Sequence, residues 1–252
     1  MRAPQDRDGR AAAVDVRIRT PKPAKGATLV IILYTTERDY PWGTLRSTHA
    51  CKTKVVLEEK NIPYRIENLS PGNLWKKPPE MLAKHPLGKV PYVEDDELVI
   101  FDSTVIDEYL EERYGPPRLM PSDPKDRMRV REIENFADEA MLIGSVPPIW
   151  MPYWSPPEKR DAASMERGRE LLRKRDLPFI ERVLEAGAGG HACGEFSLAD
   201  VPLMALAMVL DVDAMKLDEF PEVDAYLKRL RERPSYRAIS PHTKVADASG
   251  RA

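Results

Sequence analysis

The stretch that most constrains this chain runs from Pro86 to Tyr114. Two short apolar runs, Val90-Pro91-Tyr92-Val93 and Leu98-Val99-Ile100-Phe101, flank the acidic turn Glu94-Asp95-Asp96-Glu97 and predict a β-hairpin. Val90-Pro91 begins the first strand, where a proline, having no N–H to donate, is tolerated. An X-Pro bond adopts the cis form for about 0.5–1 kcal/mol. A cis bond here turns the N–H and C=O of Val90 outward, where an extended peptide ligand can pair with them. Asp102-Ser103 closes the second strand and opens a helix, so a carboxylate, a hydroxyl and free backbone N–H groups come together. Helix starts of this kind bind anions.

Upstream of this segment, Leu29-Val30-Ile31-Ile32-Leu33-Tyr34 reads as a strand buried on both faces. Residues 35–46 are expected to form a loop broken by Pro41 and Gly43. Ser47 is the expected N-cap of a helix over Thr48–Lys60 that buries Val55, Val56 and Leu57. Tyr64–Leu69 alternates like a half-buried strand, and Pro71–Pro86 is a loop with a short helical stretch near Glu80–Lys84. The helix from Ser103 to Tyr114 places Val105, Ile106, Tyr109 and Leu110 on one face.

Past Pro121 the strand signals stop. Ile133, Phe136, Ala137, Ala140 and Met141 share a helical face. A break rich in proline and aromatic residues is expected over Val146–Pro157, and a helical region over Glu158–Glu185 is interrupted near Pro178. Ser197-Leu198-Ala199-Asp200 resembles a capping box ahead of the all-apolar helix Val201–Leu210, which Pro202 is expected to distort. The resulting organisation is a disordered extension over 1–27, an α/β domain over 28–115, a linker over 116–124, an all-helical domain over 125–240 and a loose tail over 241–252.

Composition narrows the function classes. A net charge of −2 gives no electrostatic case for nucleic acid. No apolar run approaches the about 18 residues of a membrane span, and the N-terminus lacks an apolar signal core. The two cysteines, Cys51 and Cys193, suit a reducing cytoplasm better than a disulfide framework. His191-Ala192-Cys193 offers two ligands without a further cluster, so no metal site is expected.

The order βαβ–αββα with Val90-Pro91, followed by Asp102-Ser103, resembles the glutathione-binding half of a cytosolic glutathione transferase. The Ser-x-x-Asp box and the endings Phe220-Pro221 and Arg233-Pro234 are similar to the helical half, so the resemblance covers about residues 28–240. It implies an N-terminal thioredoxin-like domain followed by a C-terminal helical-bundle domain, usually assembled as a homodimer. Glutathione is then the co-substrate. Val90 at the proline pairs with its cysteinyl backbone, Asp102 and Ser103 hold its γ-glutamyl end, and Lys76, Lys77 or Lys89 meets its glycyl carboxylate.

The chemistry required of such a site is lowering a thiol pKa of about 8.5 by about 2 units, which takes about 2.7 kcal/mol. A hydroxyl donating to a thiolate contributes roughly 1.5–3 kcal/mol, and a helix N-terminus adds about 0.3–1 kcal/mol. Ser47, at the start of the first helix, can supply both, and it falls where serine-type and cysteine-type transferases keep their catalytic residue. Thr48, His49 and Tyr34 are the alternatives for that role. Cys51 defines a different expectation, a glutathione-dependent thiol oxidoreductase, and a non-catalytic ligand-binding protein on the same fold is a third. The chain departs from the family in carrying Asp102 where Glu is commoner, and in the long 35–46 connection. That connection, together with Lys52-Thr53-Lys54, resembles the β-etherase-like branch, whose members use glutathione thiolate to displace an aryl ether. A small apolar electrophile is expected between the domains, against Tyr40, Trp42, Arg46, Trp150, Tyr153 and Trp154.

Overall fold

In the computed structural model, which describes residues 30–187 and 190–245, the apolar run after Val30 forms β1 (Ile31–Thr35). The extension expected over 1–27 lies outside the described residues, as do residues 246–252 of the expected tail. Ile31 and Leu33 are fully buried, as a central strand requires.

Residues 35–46 are not a loop. They form β2 (Glu37–Tyr40) and β3 (Gly43–Arg46), an antiparallel hairpin with its own two-stranded sheet. The two breakers sit only at its turn: Tyr40 faces Gly43 across Pro41-Trp42, and Gly43 takes a φ of 133° that a side chain would resist. The residues on either side of the turn are free to pair.

Helix α1 (Thr48–Glu59) follows, then β4 (Tyr64–Asn68), which lies parallel to β1. Two short helices, α2 (Pro71–Lys76) and α3 (Pro79–Lys84), lead to the expected hairpin of β5 (Tyr92–Asp95) and β6 (Leu98–Phe101) and to α4 (Ser103–Arg113). The strand order is β4-β1-β5-β6, with β5 antiparallel to both neighbours and Leu33 opposite Val93. This is the thioredoxin-like arrangement. On α4, Ile106 and Leu110 are buried as expected, but Val105 points outward and is 56% exposed.

The second half is helical. Helix α5 (Pro124–Phe136) continues through a π-helical stretch, Ala137–Ser145, into α6 (Val146–Trp150). A second π-helical stretch, Leu172–Asp176, joins α7 (Ala162–Leu171) to α8 (Leu177–Ala186). Both π stretches end just before prolines, Pro147-Pro148 and Pro178, whose missing N–H groups the widened turns accommodate. The break expected from Val146 therefore begins only after Trp150. Helix α9 (Val201–Asp213) is buried from Val201 through Leu210. Pro202 does not distort it, because it occupies the second helical position, where no backbone donor is needed. Asp200 anchors this helix, accepting from the backbone and hydroxyl of Ser197, from Ala192 N and from the Tyr226 hydroxyl at 2.6 Å. Helices α10 (Pro221–Glu232) and α11 (Tyr236–Ile239) complete the bundle.

Helix α1 packs against both α4 and α9, and a buried polar cluster fills its contact with α4 and α5. Lys52 Nζ lies 2.6 Å from Glu134 and 2.9 Å from Asp138, and Thr104 Oγ1 donates to Glu134. Asp107, fully enclosed beside this cluster, has its carboxyl pushed up to about 8 by burial. An unfolded aspartate releases its proton near about 3.9. The folded protein therefore holds a proton that the unfolded chain has lost, and the stability from Asp107 is full below that pH and lost as the pH rises through its folded value. Asp107→Asn is expected to flatten the fall in Tm between about pH 5 and about pH 8.5, followed by circular dichroism. Parallel profiles for the two proteins would show that Asp107 is ionised in the fold.

Candidate active site

A cleft of about 500 Å³ opens between the start of α1, the β2–β3 hairpin and α6. That volume suits a small molecule. Its floor is Ser47, Thr48 and His49; Thr36, Arg38 and Tyr40 form one wall, and Val146, Pro147, Trp150, Met151 and Trp154 form the facing one.

Ser47 is there because it caps α1. Its backbone is extended (φ −62°, ψ 121°), its N–H donates to Thr36 O at 3.0 Å, and its Oγ accepts from Ala50 N at 3.4 Å. The cap bond is long and uses only acceptor capacity, so the O–H proton remains to be donated into the cleft. Thr48 is 7% exposed, with its hydroxyl 3.4 Å from His49 Nδ1. Burial lowers the pKa of His49, keeping the ring neutral near pH 7. Tyr34 does not reach this floor. Its ring stacks on Tyr92 at 4.4 Å, and its hydroxyl donates to Glu94 and accepts from Lys84. Its place beneath the sheet makes it a packing residue.

Cys51 is sealed inside α1, 1% exposed, with its sulfur 3.7 Å from Met208 Sδ. Burial pushes its thiol up to about 12, so almost no thiolate forms near neutral pH and the oxidoreductase reading loses its nucleophile. Native protein is expected to show no labelling of Cys51 by a maleimide at pH 7.5 until denaturant is added, read by peptide mass. Rapid labelling of Cys51 in the folded protein would contradict its burial.

The starts of β5 and α4 lie close to His49 on this floor, near enough for the charges of Lys89 and Asp102 to act on it. The Val90–Pro91 peptide is cis, Pro91 is buried, and Val90 lies just outside the β5 ladder. Asp102 caps α4 from a left-handed backbone (φ 75°), and its Oδ1 accepts from both Thr104 N at 3.1 Å and Val105 N at 3.3 Å. The short aspartate side chain suits this double cap, which explains why Asp stands here. A non-glycine residue held at such a φ costs about 1–3 kcal/mol, and strain of this kind concentrates at functional sites. Ser103 is buried beneath it. Lys89 is exposed, and its charge, like that of Asp102, acts on His49 across the floor.

Several expected positions land elsewhere. Lys76 is exposed, and Lys77 is tied back to Leu87 O at 2.9 Å. Arg46 does line the cleft, but its guanidinium is fully buried and donates to the carbonyls of Ser240 and Thr243, both at 2.7 Å, so its charge is not free for a ligand. Trp42 and Tyr153 clamp the walls without lining the cleft. Trp42 Nε1 donates to Tyr153 O, and the Tyr153 hydroxyl donates to Asp213. Tyr40 and Trp154 do line it, held together by a bond from the Tyr40 hydroxyl to Trp154 O at 3.2 Å. The Trp150 indole donates to Arg46 O at 2.9 Å, joining α6 to the hairpin. Sequence reasoning missed Thr36 and Arg38; once 37–40 is a strand, the period of two from Tyr40 identifies both.

Among the described residues, no cluster of three or more metal-ligating side chains occurs, and no helix is long and apolar enough to cross a membrane. Residues 43–118 match the family model for the glutathione S-transferase N-terminal domain, and residues 146–238 match that for its C-terminal domain. The uncharacterized GST-like protein YibF of Escherichia coli K12 is 30% identical over 201 residues, spanning 79% of this chain and 87% of that protein. Glutathione S-transferase A of Pleuronectes platessa is 27% identical over 214 residues, covering 83% and 93% of the two chains. A crystal structure of a glutathione S-transferase from Methylobacillus flagellatus with GSH bound superposes with a TM-score of 0.64 at 25% identity, over 84% of this chain and 99% of that one. Matching domain models in the right order, on the fold and around the cleft described above, make this chain a member of the glutathione S-transferase family.

Proposed function

We propose that this protein is a glutathione transferase in which Ser47 stabilises the glutathione thiolate for attack on an electrophile held against the aromatic wall. The observation that carries the reading is the half-buried Ser47 hydroxyl at the N-terminus of α1, facing a cleft of about 500 Å³ whose His49 feels the charges of Lys89 and Asp102. Val90 would pair with the cysteinyl backbone. Asp102, whose cap uses only Oδ1, would offer Oδ2 to the γ-glutamyl ammonium, with Ser103 N–H and hydroxyl at its carboxylate. Lys89 would meet the glycyl carboxylate; Lys77 would first have to leave Leu87 O.

In the reaction the thiol proton leaves to solvent and the Ser47 O–H donates to the sulfur anion. The sulfur forms a bond to the electrophilic carbon, and the leaving group departs with its electron pair. The enzyme forms no covalent bond to substrate; the glutathione sulfur is the nucleophile. Cleavage of a β-aryl ether is one form of this displacement, with a phenolate leaving, and Tyr40, Trp150 and Trp154 would pack its rings. A cytoplasmic homodimer, as is usual for the family, belongs to the same proposal and is checked by analytical ultracentrifugation.

Calorimetric titration with glutathione, coupled to conjugation of 1-chloro-2,4-dinitrobenzene, tests the reading. Saturable binding with enzyme-dependent turnover is expected. Binding without turnover of any electrophile would make the non-catalytic ligand-binding protein the better account, and no binding would overturn both.

A further inference from the structure

The electrophile end of the cleft is not purely apolar. Strand alternation along the hairpin divides its charges between two faces. Glu37 and Asp39 point away from the cleft, toward Lys54 and Arg46 in one case and Thr44 Oγ1 in the other. Thr36, Arg38 and Tyr40 point into it. Arg38 is exposed, with its guanidinium 5.2 Å from the centre of the Tyr40 ring. Tyr40 is itself fixed by stacking on Trp42 at 5.1 Å and by the edge of Trp154 at 6.3 Å. Among the described residues, no aspartate or glutamate lines the cleft, and the guanidinium of Arg46, the other arginine there, is spent on backbone carbonyls. The result is an aromatic surface with one positioned cation at its rim and no acid to neutralise it.

We propose that Arg38 selects the second substrate, and that the cleft takes aromatic electrophiles bearing an anionic substituent such as a carboxylate. The ring packs between Tyr40, Trp154 and Met151, and the anion accepts from the Arg38 guanidinium, whose planar fork suits a carboxylate. The inference rests on the transferase reading of the same cleft. Arg38 arises from the hairpin that replaces the expected loop, so this selectivity belongs to that hairpin.

The test compares 4-chloro-3,5-dinitrobenzoate with its methyl ester in wild type, Arg38→Ala and Arg38→Lys. In both compounds the glutathione sulfur bonds to the ring carbon and chloride leaves with its electron pair, and the difference in ring activation cancels between variants. The ratio of kcat/KM for acid over ester is expected to fall roughly tenfold in Arg38→Ala, the lower end of what a charge-assisted bond contributes. Arg38→Lys is expected to restore part of it, and added salt to shrink the wild-type ratio. An unchanged ratio would overturn the proposal. So would a loss that follows glutathione affinity alone, because Arg38 would then belong to the co-substrate.

Quenching of tryptophan fluorescence by 3,5-dinitrobenzoate and its ester, neither of which can react, separates this proposal from the one beneath it. If no conjugation occurs with any electrophile, the transferase reading fails. A tighter fit of the acid that is lost in Arg38→Ala would still establish the anion site, and equal binding of the two would remove it.

Discussion

Ser47→Ala is expected to lower kcat/KM for conjugation by roughly 10- to 150-fold, with binding of glutathione largely retained. The magnitude follows from the roughly 1.5–3 kcal/mol contributed by a hydrogen bond to a charged group, and it appears in turnover because only the thiolate attacks and the hydroxyl sets how much of the bound thiol is ionised. The substitution also removes the cap of α1. Caps contribute about 0.5–2 kcal/mol, and the long 3.4 Å bond to Ala50 N puts this one toward the low end. A modest drop in Tm with a large drop in rate is therefore the signature of catalysis. A rate loss that merely parallels the unfolded fraction would reduce Ser47 to a cap. Thr48→Ala is the control, because its hydroxyl is largely buried against His49.

The second large effect concerns the hairpin. Glu37, 4% exposed, sits between two buried cations. Its Oε1 accepts from Lys54 Nζ at 2.8 Å, and its Oε2 is 3.4 Å from Arg46 Nε, an ion-pair contact without hydrogen-bond geometry. Burial already pulls the Lys54 amine below its ordinary pKa, with the Glu37 charge opposing the shift. Glu37→Ala removes the shared anion and leaves both cations uncompensated. The expected cost is about 3–5 kcal/mol, read from urea unfolding. Replacing Lys54 with Met in the same chain is expected to recover part of it, because one stranded charge disappears. A loss below about 1 kcal/mol would place Glu37 with exposed pairs and contradict its burial. The same substitution is expected to loosen the wall that carries Arg38 and Tyr40.

What the sequence disclosed and what it concealed divide along the range of the interactions. Val90-Pro91, Asp102 and Ser47 announce themselves through local chemistry: a proline opening a strand, an acid at a helix start, a serine before a helical run. The alternation of strand and helix signals before Pro121 gave the thioredoxin-like order for the same reason. The hairpin over 37–46 was hidden because Pro41 and Gly43 read as loop breakers; that Pro41 falls in a two-residue turn and Gly43 in the first pair beyond it shows only in the pairing of Tyr40 with Gly43. The burial of Lys52 and Lys54 was hidden more deeply. Their partners, Glu134 and Glu37, lie 82 and 17 residues away and come together only through tertiary packing. Arg46 likewise looked available for a ligand until the distant carbonyls of Ser240 and Thr243 claimed it. The prolines after the π-helical stretches misled in the opposite sense, since a widened turn accommodates what an α-helix would not.

Stabilisation of a bound thiolate by Ser47 is tested most directly by the ultraviolet thiolate absorbance of glutathione, titrated against pH on wild type and Ser47→Ala. A bound-thiol pKa well below the free value of about 8.5 is expected in wild type, returning toward that value in the variant. A depressed pKa that Ser47→Ala leaves unchanged would contradict it and shift the role to Thr48 or His49.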